Sequence, residues 1–494
     1  MLNDVPGDIV IAVLEYVSLH DLASLALTCR VLYQLVEEYG WRSYLKIHPR
    51  PCYGYAKTFI SWSARDQLRL RAVGDTNWRD KEFVARPLSQ RWVSKLQPIL
   101  SINPSRLILA AGSHIYTYDF HPSPSARHAA PVKPECTYVT TMLHPSRDIT
   151  SMVSVPDGDN DRTIFVGYAD GALERLVLPS KSKTHETPFA IRAPEECHNL
   201  HNGEILESLS VSSNHLLSLS ASGKAGLLSL NSLDRQHTSI NLGYRSWCGY
   251  LSMGSSSPFA AFGTTSPHAF STHNIYSSHI DPRASVYLSP GSHLSTTSAV
   301  YAIVRAPPSS PWGASHQIIV SGWYDGLVHV HDLRSSSRTP SSNDHSIPSL
   351  LPTLTLADPW SYEPIYSLCS GGGSDAHVVA GSARHSVLAF WDVRSPNFGW
   401  SVHAPGNDSS PVYSVVMDGS RVFGANESRG FVLDFGGGVM EDTYPPIAHD
   451  PVPTATNRNW RRGRVGSAGG DATLKKDTTN GPGFYVTKYN HGKL

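Results

Sequence analysis

The chain has 494 residues, of which 40% are hydrophobic and 17% are charged, and its 41 basic residues are balanced by 41 acidic ones. This length is more than one ordinary core needs, although a closed all-β ring can be larger, and the balanced charge provides no overall field that would attract nucleic acid or an anionic membrane. The 38 glycines and 35 prolines favour many tight turns over long helices.

The cysteines and the start of the chain bear on compartment and chemistry. The six cysteines are scattered and form no CxxC pair, which gives no support to a zinc site or a redox motif and fits a reducing compartment. The start lacks the cationic and apolar segments of a signal peptide, and no apolar run approaches the roughly 18 residues of a membrane span. We therefore expect a cytoplasmic or nuclear protein, with no membrane, nucleic acid, metal or cofactor as its partner.

The first 45 residues predict two or three short amphipathic helices. Asp4 and Pro6 lie where an N-cap and a first turn are expected, and four apolar residues then recur at helical spacing: Ile9, Val13, Leu14 and Val17. Ser18 and Asp21 resemble a capping box that starts a second helix, along which five residues form one stripe: Leu22, Leu25, Cys29, Leu32 and Leu35. Roughly forty helical residues cannot bury such wide apolar faces alone, so these faces must meet a partner or the rest of the chain.

Residues 5–45 closely resemble an F-box, through Pro6, the leucine pattern, the Thr28-Cys29-Arg30 step and Trp41. Val5-Pro6 stands where the family usually has Leu-Pro. The resemblance implies a helical adaptor that binds Skp1 and so joins a cullin–RING ubiquitin ligase. The residues that match the motif are candidates for the Skp1 interface, although we expect some of them in the internal core: Val5, Pro6, Ile9, Leu14, Leu22, Leu25 and Leu32. Periodicity alone allows a second interpretation, a helical cap packed on the main domain.

A connecting stretch follows between residues 46 and 90. Residues 57–73 favour a helix, and the segment TNWRDKEFVARPL at 76–88 resembles the linker of F-box/WD-repeat proteins, in which an NWR step often precedes a propeller. The alternative is an ordinary connector in which Trp62 and Trp78 are buried.

From residue 92 to about 435 a strand–turn–strand unit recurs at intervals of roughly 40–60 residues, which is typical of propeller blades. The clearest copies are residues 318–335 and 377–395; weaker copies are 107–120, 163–178, 215–230 and 421–435, and a degenerate one is 246–275. Trp391-Asp392 matches the WD dipeptide, with His331-Asp332 as its equivalent, and Asp170-Gly171 and Asp325-Gly326 predict tight turns. The Gly-His dipeptide of WD repeats is missing almost everywhere.

The predicted fold is therefore mainly β: a WD40-like β-propeller of about seven blades, preceded by a small all-α F-box and a helical linker. The predicted divisions are the F-box at 1–48, the linker at 49–91, the propeller at 92–450 and a basic, mobile tail at 451–494. A pair of β-sandwiches is the alternative for the body. We expect residues 179–202 and 335–359 to be polar insertions, the latter an exposed loop, and residues 483–489 could pair as a terminal strand. The stretch NRNWRRGR is either a nuclear-entry or nucleic-acid patch or a solvated tail.

No catalytic motif stands out, since the chain has no G-x-S-x-G, P-loop or HExxH pattern, and we predict a non-enzymatic protein. What the repeats provide is one propeller face with aromatic residues and arginines, the residue types of protein-binding hot spots. The candidates for binding an unknown protein substrate are Tyr168, Arg245, Trp323, Tyr324, Tyr362, Arg384 and Arg429. If the target is phosphorylated, Arg245, Arg384 and Arg429 should converge.

The first functional hypothesis is the substrate-recognition subunit of an SCF-type ubiquitin ligase. The second is a WD-repeat scaffold without ligase function, and the third is a propeller hydrolase or lyase.

Overall fold

The computed structural model describes residues 5–447 except 124, 126, 141–146, 159, 180–188, 191–195, 199, 202, 231–236, 277–278, 292–296, 337, 340–346 and 406–408, together with 474–475 and 486–492. Asp4 and the stretch NRNWRRGR lie outside the described residues.

The N-terminal part is helical, as predicted. Its helices are α1 (Gly7–Leu14), α2 (Leu19–Ala26), α3 (Arg30–Leu35), α4 (Trp41–Ile47), α5 (Ala56–Phe59) and α6 (Ala64–Asp80), with a π turn at Val36–Gly40 and a 3₁₀ turn at Tyr53–Tyr55. Ser18 caps α2 as expected: its hydroxyl accepts the Asp21 N–H at 3.2 Å and donates to the Asp21 carboxylate at 2.6 Å.

The predicted second helix is two helices. Leu27 ends α2 and Cys29, in extended conformation, begins α3. Between them the Thr28 hydroxyl donates to the Leu25 carbonyl at 2.8 Å, a side-chain bond that competes with the helical ladder. The break places Leu22 and Leu25 on α2 and Leu32 and Leu35 on α3. The sequence pattern had placed all four on one stripe of a single helix.

The helical domain closes its core with help from the linker. Leu14, Leu22, Val36 and Trp41 are buried together, and Leu68 of α6 packs into the same cluster. Because a unit of this size buries little of its own surface, the contribution from α6 is what completes it. The helical domain and the linker helix are therefore one packed unit.

The strands form a propeller of seven four-stranded blades within the described residues. The strand β1 (Val84–Pro87) precedes the first blade. Blade one is β2 (Ile99–Ile102), β3 (Arg106–Ala111), β4 (His114–Phe120) and β5 (Val132–Val139); blade two is β6 (Ile149–Ser154), β7 (Thr163–Tyr168), β8 (Leu173–Val177) and β10 (Glu196–His198). Blade three is β11 (Leu206–Ser212), β12 (His215–Ser220), β13 (Lys224–Ser229) and β14 (His237–Asn241).

The remaining blades complete the ring. Blade four is β15 (Ser246–Ser252), β16 (Phe259–Ser266), β17 (Phe270–Tyr276) and β19 (Val286–Leu288); blade five is β20 (Ser298–Arg305), β21 (Ile318–Trp323), β22 (Val328–Asp332) and β25 (Leu354–Leu356). Blade six is β26 (Ile365–Gly371), β27 (His377–Ser382), β28 (Val387–Asp392) and β29 (Trp400–His403); blade seven is β30 (Val412–Asp418), β31 (Arg421–Asn426), β32 (Gly430–Asp434) and β1.

The ring is closed by strand β1, which pairs antiparallel with β32 from Val84↔Asp434 to Pro87↔Phe431. The N-terminal strand therefore supplies the outer strand of the last blade, and the closed ring leaves only short edges that are protected within it. The propeller was predicted to begin at residue 92, which lies after this strand. Arg86 and Pro87 make the segment unlike a typical strand in sequence, and its partner strand is distant in the chain.

The hydrophobic cores lie between neighbouring blades. Blades six and seven share one core around Phe390, Trp400 and Phe431, and blades seven and one share another around Phe120 and Phe423. Similar cores join each of the other neighbouring pairs. Since every blade buries both faces against a neighbour, the ring is one cooperative body.

The recurring sequence units are the hairpins of the second and third strands. Trp391 and His331 both lie near the end of a third strand, β28 and β22, which confirms their equivalence. Gly171 and Gly326 occupy the predicted tight turns with φ of +83° at each. A Cβ at Gly171 would lie 2.5 Å from the Glu204 carbonyl oxygen, so these turns need glycine both for conformation and for space.

The predicted insertions contribute strands as well as loops. Residues 335–359, expected to be an exposed loop, include β23 (Arg338–Thr339), β24 (Ser349–Leu350) and the blade strand β25, and Leu350 is buried. Strand β24 pairs in parallel with β19 of blade four. Within 179–202, β9 (Phe189–Ala190) pairs in parallel with β5 of blade one. Both insertions therefore reach back to cover the edge of an earlier blade.

Shorter strands complete the sheets. Strand β18 (His279–Ile280) pairs with β17, and β33 (Leu474–Lys475) pairs with β34 (Val486–Asn490). Strand β34 itself pairs antiparallel with β29 as a fifth strand of blade six. The terminal strand expected near residues 483–489 is thus present at 486–490, inside the segment predicted to be a mobile tail.

The linker packs on one face of the propeller, which we call the lower face because the inner strands end there. The Arg50 guanidinium donates to the Gly373 carbonyl at 2.8 Å and forms an ion pair of 2.7 Å with Asp75. The Asn77 amide donates to the Phe435 carbonyl at 2.8 Å. Trp78 is buried against Phe435, with ring centroids 4.0 Å apart. Trp78 is thus buried, as the interpretation of this stretch as a connector with buried aromatic residues predicted.

Gly372 and Gly373 leave the space in which the Trp78 ring packs. Gly372 and Gly373 have φ of +60° and +47°, and a Cβ on Gly372 would lie 2.6 Å from the Trp78 ring. Any other side chain at this position would displace the indole. The GGGS run at 371–374 thus serves close packing of the linker.

A buried charge cluster fixes the linker to blade seven. The Arg421 and Asp434 side chains are fully buried and lie 3.2 Å apart, and the Tyr55 ring lies 4.8 Å from the Arg421 guanidinium. The Asp418 carboxylate accepts backbone N–H groups of Tyr53 and Gly54, and burial raises its pKa. Removing one partner from such a cluster would leave an uncompensated buried charge.

Candidate functional site

The central channel opens on the upper face, where the inner strands begin. A cavity of about 360 Å³ there is lined by the first residues of inner strands from all seven blades. This volume is within the range of ligand pockets, about 300–1,000 Å³. The upper face lies opposite the lower face that holds the linker.

A repeated irregularity places one side chain per blade at this opening. In six of the seven inner strands the pairing register shifts near the start of the strand, at the second residue in five of them and at the fourth residue in β20. A β-bulge re-aims the side chain that it inserts. The six residues at these shifts all line the cavity, and we call them the mouth residues: Thr150, Glu207, Trp247, Tyr301, Tyr366 and Tyr413.

Four of the mouth residues form a continuous aromatic row. Ring centroids are 5.0 Å apart between Trp247 and Tyr301, 5.1 Å between Tyr301 and Tyr366, and 6.1 Å between Tyr366 and Tyr413. All four side chains are half-buried, so each keeps surface for a ligand. Aromatic pairs at such separations contribute about 0.5–1.5 kcal/mol each beyond burial, which stabilises the row in the absence of a partner.

One end of the row is covered by a cation. The Arg245 guanidinium lies 4.1 Å from the centroid of the Trp247 ring and 2.5 Å from a Glu207 carboxylate oxygen. The Trp247 indole N–H donates to the Thr265 hydroxyl at 2.7 Å. The charges of Arg245 and Glu207 thus compensate each other at the cavity wall.

The loops around the opening show the same pairing of charges. Lys95 and Glu427 lie 3.0 Å apart, Lys224 and Glu204 lie 2.7 Å apart, and His385 contacts the Glu363 carboxylate. Side-chain hydrogen bonds from Lys224 and Ser222 lower the pKa of Glu204 to about 2. These charged side chains of the upper face are therefore paired with one another, whereas Arg384 is exposed.

The predicted substrate-binding residues fall into an exposed group and a buried group. Tyr324, Tyr362 and Arg384 are exposed, and Arg245 is at the mouth. Tyr168, Trp323 and Arg429 are buried within the blades instead.

Two of these buried residues, Trp323 and Tyr168, have local partners inside the blades. The Trp323 indole donates to the Ser321 hydroxyl at 2.9 Å, and the Arg147 guanidinium lies 4.1 Å from the Tyr168 ring centroid. Burial raises the pKa of the Tyr168 hydroxyl. As these side chains already pack inside the protein, we no longer assign them to a contact surface.

Arg245, Arg384 and Arg429, which we expected to converge if the target is phosphorylated, have different environments in the structure. Arg429 is buried, Arg245 is engaged by Glu207 and Trp247, and Arg384 is the exposed member of the three. Tyr301, Tyr366, Tyr413 and Glu207 were missed by the sequence interpretation. Aligning the inner strands on their leading apolar residue would have found them, because each directly follows one: Val300, Ile365, Val412 and Leu206.

The helical domain presents a second candidate surface. Ile9 and Val13 of α1 are 51% and 53% exposed, and Leu27 and Val31 at the α2–α3 break are 88% and 55% exposed. Large apolar side chains at i and i+4 on a helix lie on one face. The apolar face of α1 is thus open to solvent.

The predicted Skp1-binding residues fall into two groups. Val5, Pro6 and Ile9 are exposed and Leu25 is half-buried, whereas Leu14, Leu22 and Leu32 are buried in the domain. The sequence pattern therefore mixes surface and core positions, as expected from helical periodicity. Val13, Leu27 and Val31 are exposed positions that the motif match did not select.

Comparison with known proteins gives the helical domain its family. Residues 2–46 match the family model described as F-box-like. The N-terminal helices are an F-box-like domain. No curated protein matches the chain. Among solved structures, the chain is similar to the WD40 β-propeller domain of Doa1, with a TM-score of 0.46 and 10% identity over 70% of this chain and 96% of that chain.

The chain thus joins an F-box-like domain to a seven-bladed propeller, an organisation consistent with F-box/WD-repeat proteins. Among the helices that the structure describes, none is long and apolar enough to cross a bilayer. A search of the same residues finds no cluster of His, Cys, Asp and Glu that could hold a metal ion.

Proposed function

We propose that this protein is the substrate-recognition subunit of an SCF ubiquitin ligase in the cytoplasm or nucleus. The F-box-like domain binds Skp1, which connects it to the cullin and RING subunits, and the upper face of the propeller binds the target protein. The chain itself performs no chemistry. It raises the effective concentration of a target lysine near the ubiquitin thioester, which is catalysis by proximity.

The observation that carries this proposal is the exposed apolar face of the F-box-like domain. Leu14, Leu22 and Trp41 close the domain core, yet Ile9, Val13, Leu27 and Val31 remain in solvent. Docking of the linker on the propeller does not cover them. Exposed apolar surface that the fold itself does not use marks a protein-interaction site.

The junction supports the same function through geometry. Trp78, Arg421 and Asp434 hold the linker against the lower face by buried contacts. The F-box-like domain and the upper face are therefore held on opposite sides of the propeller at a fixed separation. A fixed separation is what a proximity mechanism requires.

The test is co-purification of the full-length chain with Skp1. The double variant Ile9→Asp and Val13→Asp should lose Skp1, because two charges would be buried in the interface. Both side chains are exposed, so the F-box-like domain should still fold. Leu14→Asp is a poor test, since Leu14 is 1% exposed and its loss would disrupt the core.

The matched control is Phe398→Asp, which changes an apolar side chain that is 66% exposed on blade six. This control should retain Skp1. If the Ile9 and Val13 double variant retains Skp1 equally well, or the intact chain never captures it, the proposal is wrong and the scaffold hypothesis takes its place.

A further inference from the structure

We propose that the mouth residues bind an uncharged, proline-containing segment of the target protein and recognise it without a phosphate group. This inference deepens the proposed function, on which it rests for the ligand being a ubiquitination target. The site itself is the cavity bounded by Trp247, Tyr301, Tyr366 and Tyr413.

The cations nearest the mouth are already paired with carboxylates. Arg245 is paired with Glu207, Lys95 with Glu427 and His385 with Glu363. A phosphate group carries a charge of about −1.5 to −2 at pH 7 and needs cations that are not already compensated. At this mouth a phosphate would have to compete with carboxylates for each of these cations. A charged ligand therefore gains little here.

The second argument excludes a cationic ligand. An aromatic lining can bind ammonium or guanidinium groups through the ring faces. The Trp247 face, however, is already covered by the Arg245 guanidinium at 4.1 Å from its centroid. A second cation would therefore lack the ring type that binds cations best. A neutral ligand is therefore the one that fits this surface.

The third argument concerns the shape and polarity of the aromatic row. Proline-rich segments adopt the polyproline II conformation, carry no internal hydrogen bonds and dock in grooves lined by aromatic side chains. The row from Trp247 to Tyr413 has ring centroids 5.0–6.1 Å apart. Within the described residues, the hydroxyls of Tyr301 and Tyr366 make no hydrogen bond, so they can donate to the carbonyls of such a segment. Proline is also pre-ordered, which lowers the entropic cost of binding.

The test is fluorescence anisotropy of the full-length protein with a set of labelled nine-residue peptides on a neutral Gly/Ala/Ser background. The centres differ: two adjacent prolines, two alanines, one phosphoserine flanked by prolines, or two lysines. The diproline peptide should bind best, and replacing its prolines by alanine or adding phosphoserine should weaken binding about tenfold or more, as expected at a hot spot. Preference for phosphoserine or lysine centres, or no binding by any peptide, would overturn the proposal.

Variants locate the binding site. Tyr366→Ala and Trp247→Ala should each weaken binding of the diproline peptide by about tenfold. Tyr276→Ala is the matched control, because Tyr276 is 51% exposed at the far end of β17 and outside the mouth, and it should bind normally. Equal binding by all these proteins would place the site elsewhere. Skp1 capture is measured on the same preparations, and its loss or retention reports on the proposed ligase function separately.

Discussion

The two faces of the propeller differ in how they use aromatic and charged residues. On the lower face, Trp78 and Arg421 are fully buried and join the linker to blades six and seven. On the upper face, Trp247 and Tyr366 are half-buried around an open cavity, and the charges lie in surface pairs. The same residue types thus stabilise one face and leave the other available for binding. Burial, more than residue identity, separates the aromatic residues that join the linker to the propeller from those that we propose for recognition.

The largest expected effect is on the lower face. Trp78→Ala removes an indole that is 2% exposed, and deletion of a buried Trp costs about 3–5 kcal/mol in free energy of unfolding. The linker should loosen, which limited proteolysis would detect as faster cleavage between α6 and β1. Trp360→Ala changes a Trp that is 49% exposed and should leave the cleavage rate unchanged. Equal protection of both variants would show that the junction does not depend on the indole.

Acidification should have the second largest effect, and it should lower the stability of the blades more than that of the mouth. Burial lowers the pKa of His331 to about 4 and that of His201 to about 4. Because the unfolded histidine titrates near 6.5, the unfolded chain binds more protons below that pH, so stability is complete above pH 6.5 and falls toward pH 4. One such histidine accounts for about 2 kcal/mol between pH 7 and pH 5. Tm should therefore fall on acidification to pH 5.

The variant His331→Gln, which cannot titrate, sharpens the pH test. Its Tm at pH 7 should be lower than that of the native chain, because the hydrogen bond of 3.0 Å between the His331 ring and the Ser289 carbonyl is lost. The difference between its Tm values at pH 7 and pH 5 should nevertheless be smaller. An unchanged difference would mean that His331 is not a source of the acid sensitivity.

The smallest expected effect on stability is at the mouth. Tyr301→Ala removes a half-buried ring that contacts Trp247 and Tyr366, and the loss should be about 1–2 kcal/mol because each aromatic pair contributes only about 0.5–1.5 kcal/mol. Differential scanning fluorimetry should show a smaller Tm shift than for Trp78→Ala. A shift as large as that of Trp78→Ala would mean that the aromatic row is structural and that the two faces do not differ in the way described.

Part of the fold could be predicted from local sequence because it depends on local physics. The helical start follows from the spacing of Ile9, Leu14 and Leu22, and the blade hairpins follow from period-2 strands with glycine turns such as Asp325-Gly326. The number of blades followed from counting these hairpins. These predictions are confirmed by the structure.

The binding surfaces needed the tertiary structure. Tyr168, Trp323 and Arg429 resemble loop residues in the sequence, yet neighbouring blades bury them, and Arg245 is neutralised by a glutamate 38 residues away. The mouth residues come from separate blades and are brought together only by ring closure.

By itself, the sequence determined that this protein has a helical N-terminal domain and a repeated β body, because helical and strand periodicity and turn chemistry act over a few residues. Only the tertiary structure decided that β1 closes the ring onto β32, that Trp78 seats on Gly372 and Gly373, and which aromatic side chains face solvent. These outcomes depend on contacts between residues hundreds of positions apart, and no local pattern specifies which distant surface will cover a given side chain.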